Sequence, residues 1–95
     1  MTTISINSDC IKMRGHAGYA PSGQDIVCAG LTALVQTLIR SIESLTSDEL
    51  NYCVSSARVD IDLRNLSERS RLLVDSFFIG ICEIAGEFPN NVRIV

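Results

Sequence analysis

Two stretches of helical spacing, each preceded by a pair of short alternating segments, leave this chain few ways to fold. The first stretch carries Val27, Leu31, Leu34, Leu38, Ile42 and Leu45, and the second carries Leu72, Leu73, Phe77, Ile81, Ile84 and Ala85. Steps of four and three put such residues on one face of a helix. Residues 2–7 and 10–14 alternate polar and apolar, as half-buried strands do, and Asn7-Ser8-Asp9 between them is a turn signal. Residues 50–56 and 58–63 read as a second hairpin, with Val59, Ile61 and Leu63 on one face and Asp60 and Asp62 on the other. Residues 92–95 read as a last strand. The expected fold is therefore α+β: a two-layer sandwich in ββα-ββα-β order, two helices packed on a mainly antiparallel sheet. At 95 residues there is room for one domain and one core, residues 1–95. Five short strands and two helices make a thin core, which predicts association into a homodimer.

Local signals set the boundaries. Ser22 with Asp25 three residues on reads as a capping box for the first helix, which should end near Ser44–Thr46, before the polar break Ser47-Asp48-Glu49. Ser67 reads as the N-cap of the second helix, with Glu68 in its first turn, and Phe88-Pro89-Asn90-Asn91 stops it.

Composition removes several function classes. Apolar residues make up 46% and charged residues 20%, a globular balance. Net charge is −3, Lys12 is the one lysine, and no basic stripe is visible, so direct nucleic-acid binding is not expected. The first residues lack a positive n-region, and polar residues break every apolar run before about 18 residues, so neither signal peptide nor membrane contact is expected. Cys10, Cys28, Cys53 and Cys82 form no Cys-x-x-Cys pair and read as reduced thiols of a cytoplasmic protein. Cys10, Cys53 and Cys82 lie inside apolar patterns and read as structural.

The remaining chemistry is concentrated in one stretch. His16 is the sole histidine, and it follows the second strand. Residues 15–23 hold three glycines and a proline, the composition of a mobile loop. Cys28 lies near the start of the first helix, where the positive end of the helix dipole favours a thiolate. An imidazole nearby can take the thiol proton. Asp25 and Thr32 share a helix face with Cys28. Asp25 has two available roles, orienting His16 or binding loop amides. Backbone amides near the helix start, those of Cys28 or its neighbours, are candidate oxyanion donors. The same residues also fit a surface histidine, a small core cysteine and a capping aspartate. No metal or other cofactor is expected, because His16, Cys10 and Cys28 lack metal-ligand spacing.

The stretch Gly15-His16-Ala17-Gly18-Tyr19-Ala20, followed by Gly23-Gln24-Asp25-Ile26-Val27-Cys28-Ala29, resembles the ribosomal-processing cysteine protease family, Prp, of bacteria. The family pattern is a Gly-His-Ala-Gly-Tyr-Ala loop and then Gly-x-Asp-Ile-Val-Cys-Ala, with eleven residues between His and Cys, a spacing kept here. Leu72-Leu73, Phe77 to Ile81, Ile84-Ala85, Phe88-Pro89 and the last strand are similar to the family's second helix and end, so the resemblance covers nearly the whole chain. It implies a cysteine endopeptidase with Cys28 as nucleophile and His16 as general base, supported by Gly15, Asp25 and Thr32. It implies a mobile loop carrying Gly18, Tyr19 and Gly23, a homodimer, and as substrate the precursor of a bacterial large-subunit ribosomal protein with an N-terminal extension. The chain departs from the family at Thr32, where serine is usual, at Gly30, where alanine is common, and in a shorter first hairpin. Gly30 should weaken its helix by up to about 1 kcal/mol. Two other readings stand beside this one: a non-catalytic, ribosome-associated assembly module with the same fold, and a redox-sensing thiol protein.

Overall fold

The computed structural model describes residues 1–95, arranged as β1 (Thr2–Ile6), β2 (Cys10–Arg14), α1 (Ile26–Leu45), β3 (Tyr52–Ser55), β4 (Arg58–Asp62), α2 (Glu68–Glu87) and β5 (Val92–Ile94). The first hairpin turns on Asn7, whose Oδ1 accepts the amides of Asp9 and Cys10. The strands form one sheet in the order β3-β4-β2-β1-β5. Each pairing is antiparallel except β1 with β5, which α2 returns parallel to β1. The α+β sandwich and its ββα-ββα-β order agree with the sequence reading.

Alternation along the strands divides the sheet into two faces. Ile4, Ile11, Met13, Val59, Ile61 and Val92 are buried and join α1 and α2 in a single core cluster. The register places Ser5, Lys12 and Asp60 side by side on the opposite, polar face. There Arg14 and Arg58 are direct cross-strand partners, a destabilising like-charge pair if left alone. Asp60 bridges them at 2.7 Å and 2.8 Å. Arg14 first, then Arg58, holds the Asp60 carboxyl below its ordinary value.

The helical stripes are broader than their spacing suggests. In α1, Val35 and Ile39 join Val27, Leu31, Leu38 and Ile42 in the core, Leu34 is half-buried, and Leu45 is exposed. The helix must cover the sheet and also meet α2, so one narrow stripe does not suffice. The two helices approach closely through glycine. A Cβ at Gly80 would stand 2.9 Å from Leu34, and one at Gly30 would stand 3.2 Å from Ile84. Gly30, a cost to helix propensity, thus makes room for a neighbour. By length and composition alone α1 could also cross a bilayer. Its six buried residues instead pack in the core.

Other expectations need correction. Leu72 in α2 is 70% exposed, whereas Val74, absent from the expected stripe, is buried. Cys53 and Cys82 are exposed and Cys10 is half-buried, so only Cys10 is even partly enclosed among the three taken as structural. Cys53 lies on the edge strand, where no further strand covers it, and Cys82 points away from the core. Asp48, expected only as part of a break, caps the second helix from outside. Its carboxylate accepts the Ser67 amide and hydroxyl and the hydroxyl of the fully buried Ser70. The Ser67 hydroxyl is the main cause of its lowered pKa.

Position on α2 decides the cost of a truncation. Ile81 is fully buried, so Ile81→Ala should lower the unfolding free energy by about 2–5 kcal/mol. Leu72→Ala on the exposed face should change it by less than about 0.5 kcal/mol. Urea unfolding followed by circular dichroism separates the two; equal losses would contradict this core assignment.

Candidate active site

His16 is exposed, yet its backbone is bracketed by anchored residues. Gly15 donates its amide to the Ala57 carbonyl at 2.9 Å, and its own carbonyl accepts the buried Thr2 hydroxyl at 3.1 Å. Its φ of +89° is a conformation glycine tolerates, and an added Cβ would stand 2.5 Å from the Met1 carbonyl oxygen. On the other side, Ala17 is buried and its carbonyl accepts the Asn91 side-chain amide at 3.0 Å. The start of β1, the β3–β4 turn and the residue before β5 therefore all help to fix the imidazole's point of attachment.

Asp25 fixes Cys28. It is the N-cap of α1, in place of the expected Ser22. Its Oδ1 accepts the amides of Val27 and Cys28, each at 2.9 Å. Its Oδ2 accepts those of Tyr19 at 2.9 Å and Ala20 at 3.3 Å. A carboxylate satisfies these amides better than a serine hydroxyl can, because it has two acceptor oxygens and a charge. Of the two roles available to Asp25, the structure shows the binding of loop amides. The Cys28 amide foremost, against an opposing effect of burial, lowers its pKa from the ordinary 3.8. This arrangement corrects one expectation. The Val27 and Cys28 amides already donate to Asp25, so neither is free to hold an oxyanion in this conformation.

The elements bring His16, Cys28 and Thr32 to the mouths of two adjoining cavities, and all three residues line both. The first, about 320 Å³, has Met13, Leu31, Val35 and Val59 among its apolar lining, and Gly15 also borders it. The second, about 1020 Å³, runs between α1 and the loop, with Gly18, Gly23 and Asp25 on its wall. Tyr19 lines neither. Its ring packs edge-on against Phe88 with centroids 5.3 Å apart. Sequence reasoning missed the β3–β4 turn, although Ser56 borders both cavities and Ala57 holds Gly15. Ala57 has a φ of +61°, unusual for a residue with a Cβ, and no local pattern marked it. No group of three or more His, Cys, Asp or Glu side chains is arranged to hold a metal ion.

The arrangement places the one imidazole and a half-buried thiol beside a partly apolar cleft, chemistry suited to nucleophilic attack on an acyl group.

Known proteins share this chain's features. The cysteine protease Prp family matches residues 1–93. The ribosomal processing cysteine protease Prp of Staphylococcus aureus (strain Mu50) is 28% identical over 87 residues, covering 88% of this chain and 82% of that protein. The protein of the same name from Bacillus subtilis (strain 168) is 27% identical over 93 residues, covering 87% and 80%. Among solved structures, the S. aureus protease Prp with a covalently linked product peptide superposes with a TM-score of 0.87 at 24% identity, covering 98% of this chain and 94% of that one. SMU.848 from Streptococcus mutans superposes at 0.73 with 28% identity, covering 99% and 91%.

Two measurements test this geometry. Gly15→Ala should destabilise the protein by more than about 2 kcal/mol, since strain and a backbone clash combine. Gly18→Ala has open space around it and should cost only about 1–2 kcal/mol, for its positive φ. Thermal unfolding gives both, and equal costs would count against the clash. For Asp25 the folded-state pKa is depressed, so its contribution to stability is present above 3.8 and is lost as pH falls through the lowered value. A carbon-detected carboxyl titration should find its midpoint below 3.8, with the Tyr19 and Ala20 amide shifts following the same curve. A midpoint at or above 3.8 would contradict the four-amide arrangement.

Proposed function

The chain belongs to the cysteine protease Prp family, and from that premise we propose that it removes an N-terminal extension from the precursor of a bacterial large-subunit ribosomal protein, with Cys28 as nucleophile and His16 as general base. One observation carries the assignment of roles: the only imidazole in the chain borders the same two cavities as Cys28. No other side chain supplies an imidazole base.

In the proposed reaction, His16 takes the Cys28 proton and the thiolate attacks the scissile carbonyl carbon. The resulting oxyanion collapses, the carbon–nitrogen bond breaks, and His16 returns the proton to the leaving amine. Water, deprotonated by His16, then attacks the thioester. The acid product departs and the Cys28 thiol is restored. Asp25 acts as a positioning residue, tying the start of α1 to the loop. Gly15 fixes the backbone next to His16, and Thr32 offers a hydroxyl one turn beyond the thiol. The loop bearing Gly18, Tyr19 and Gly23 closes over the bound peptide. Gly18 and Gly23 support this part, because both have positive φ and open space around them.

The same reading makes the protein a cytoplasmic homodimer whose macromolecular substrate is the ribosomal-protein precursor. Leu72, Phe78 and Ile79 on the outer side of α2 are exposed apolar residues available to a second copy.

Cleavage of a peptide spanning the extension junction, followed by liquid chromatography, tests the roles. Cys28→Ala should reduce it to background, and His16→Ala should lower kcat by about 10²–10⁴-fold. Wild-type cleavage by Cys28→Ala would overturn the assignment.

A further inference from the structure

The sheet ends on one side in a strand that nothing covers. All four residues of β3 are exposed. The Asp62 amide donates to the Asn51 carbonyl, which makes Asn51 and Asp62 a hydrogen-bonded antiparallel pair. Pairs alternate along such a ladder, so Cys53 and Ser55 also bond inward to Asp60 and Arg58. The amides and carbonyls of Tyr52 and Val54 therefore face outward, away from the sheet. Free edges are usually blunted by charge, proline or shortness. The other edge strand, β5, is three residues long and carries Arg93. Tyr52-Cys53-Val54-Ser55 has no charge and no proline.

This edge leads to the candidate active site. Ser56, the next residue, borders both cavities that hold His16 and Cys28, and Val54 lines the smaller one. Tyr52 and Val54 share the face of Ile61 and Val59, the side of the sheet that carries the helices. They are nevertheless 43% and 40% exposed, because the helices leave that margin open.

We propose that the substrate peptide binds as a sixth strand, its main chain paired with Tyr52 and Val54 of β3, so that the chain continuing past Ser56 meets Cys28. This deepens the peptidase reading and rests on it. Main-chain pairing supplies affinity without regard to sequence, and alternate substrate side chains supply selectivity. Those on the helix side face Tyr52, Val54 and the partly apolar cavity, and those between them face the polar side of the sheet. β3 spans about 13 Å at roughly 3.3 Å per residue. That length accommodates about four substrate residues on one side of the scissile bond. A second copy pairing along the same edge is the competing occupant. The peptide is favoured because the edge runs into the cavities bordered by Cys28.

The test uses the full-length Cys28→Ala protein, which holds the junction peptide without turnover. Amide hydrogen exchange by NMR should show Tyr52 and Val54 slowed at least tenfold by saturating peptide, while Cys53 and Ser55, already paired, change little. A scan of peptides N-methylated at single positions should weaken binding about fivefold to tenfold at two positions two residues apart, with the residue between them tolerant. Peptide-dependent shifts at His16 with no added protection at Tyr52 and Val54 would overturn the proposal. So would protection of those amides without peptide that grows with protein concentration, which would indicate self-pairing. Slow cleavage by the wild-type protein despite these binding signatures would count against the peptidase reading alone. Cys28-dependent cleavage without them would count against strand addition alone.

Discussion

The Asp25 carboxylate joins the two halves of the site. Its two oxygens take four backbone amides, two at the start of α1 and two in the preceding loop. Without an acceptor there, the first turn of α1 would leave the Val27 and Cys28 amides without a partner. The same contact sets where α1 begins, and thus where Cys28 lies in its first turn. Since α1 contributes six buried residues, the start of the helix also fixes its register against the sheet. A negative charge at this end is favourable for the helix dipole.

Everything else at the site is joined through distant pieces of chain. Residue 15 is held by residues 2 and 57, and residue 17 by residue 91. The sheet order makes this possible. β2 lies between β1 and β4, so the residue leaving β2 meets both the N-terminus and the β3–β4 turn. Asp60 eases that register by bridging the facing Arg14 and Arg58 with one carboxylate. The polar face therefore contributes to a site that opens on the other side of the sheet.

Much of this was legible in the order of residues. Asn7 signalled the first turn, Ser67 the second helix, and the alternation of Val59, Ile61 and Leu63 the buried face of β4. Such features depend on neighbours a few residues away, where backbone geometry fixes the relation. The failures have a common origin. Ser22 looked like a cap because its spacing to Asp25 is right, but Asp25 has more to satisfy, including amides of a loop folded back over it. Leu72 and Val74 exchanged roles because the neighbouring elements decide which side of α2 faces inward. Gly30 looked like a defect until Ile84 occupied the space above it.

The sequence alone determined the elements and their order, the family pattern from Gly15 to Cys28, and the fact that any imidazole chemistry belongs to His16. These follow from local spacing and from counting. Only the tertiary structure decided that the β3–β4 turn borders the site, that Asp25 holds amides, and that β3 is left with a free edge. Each depends on which strands become neighbours. That choice arises when one apolar sheet face is covered by two helices, and it brings together residues from opposite ends of the chain.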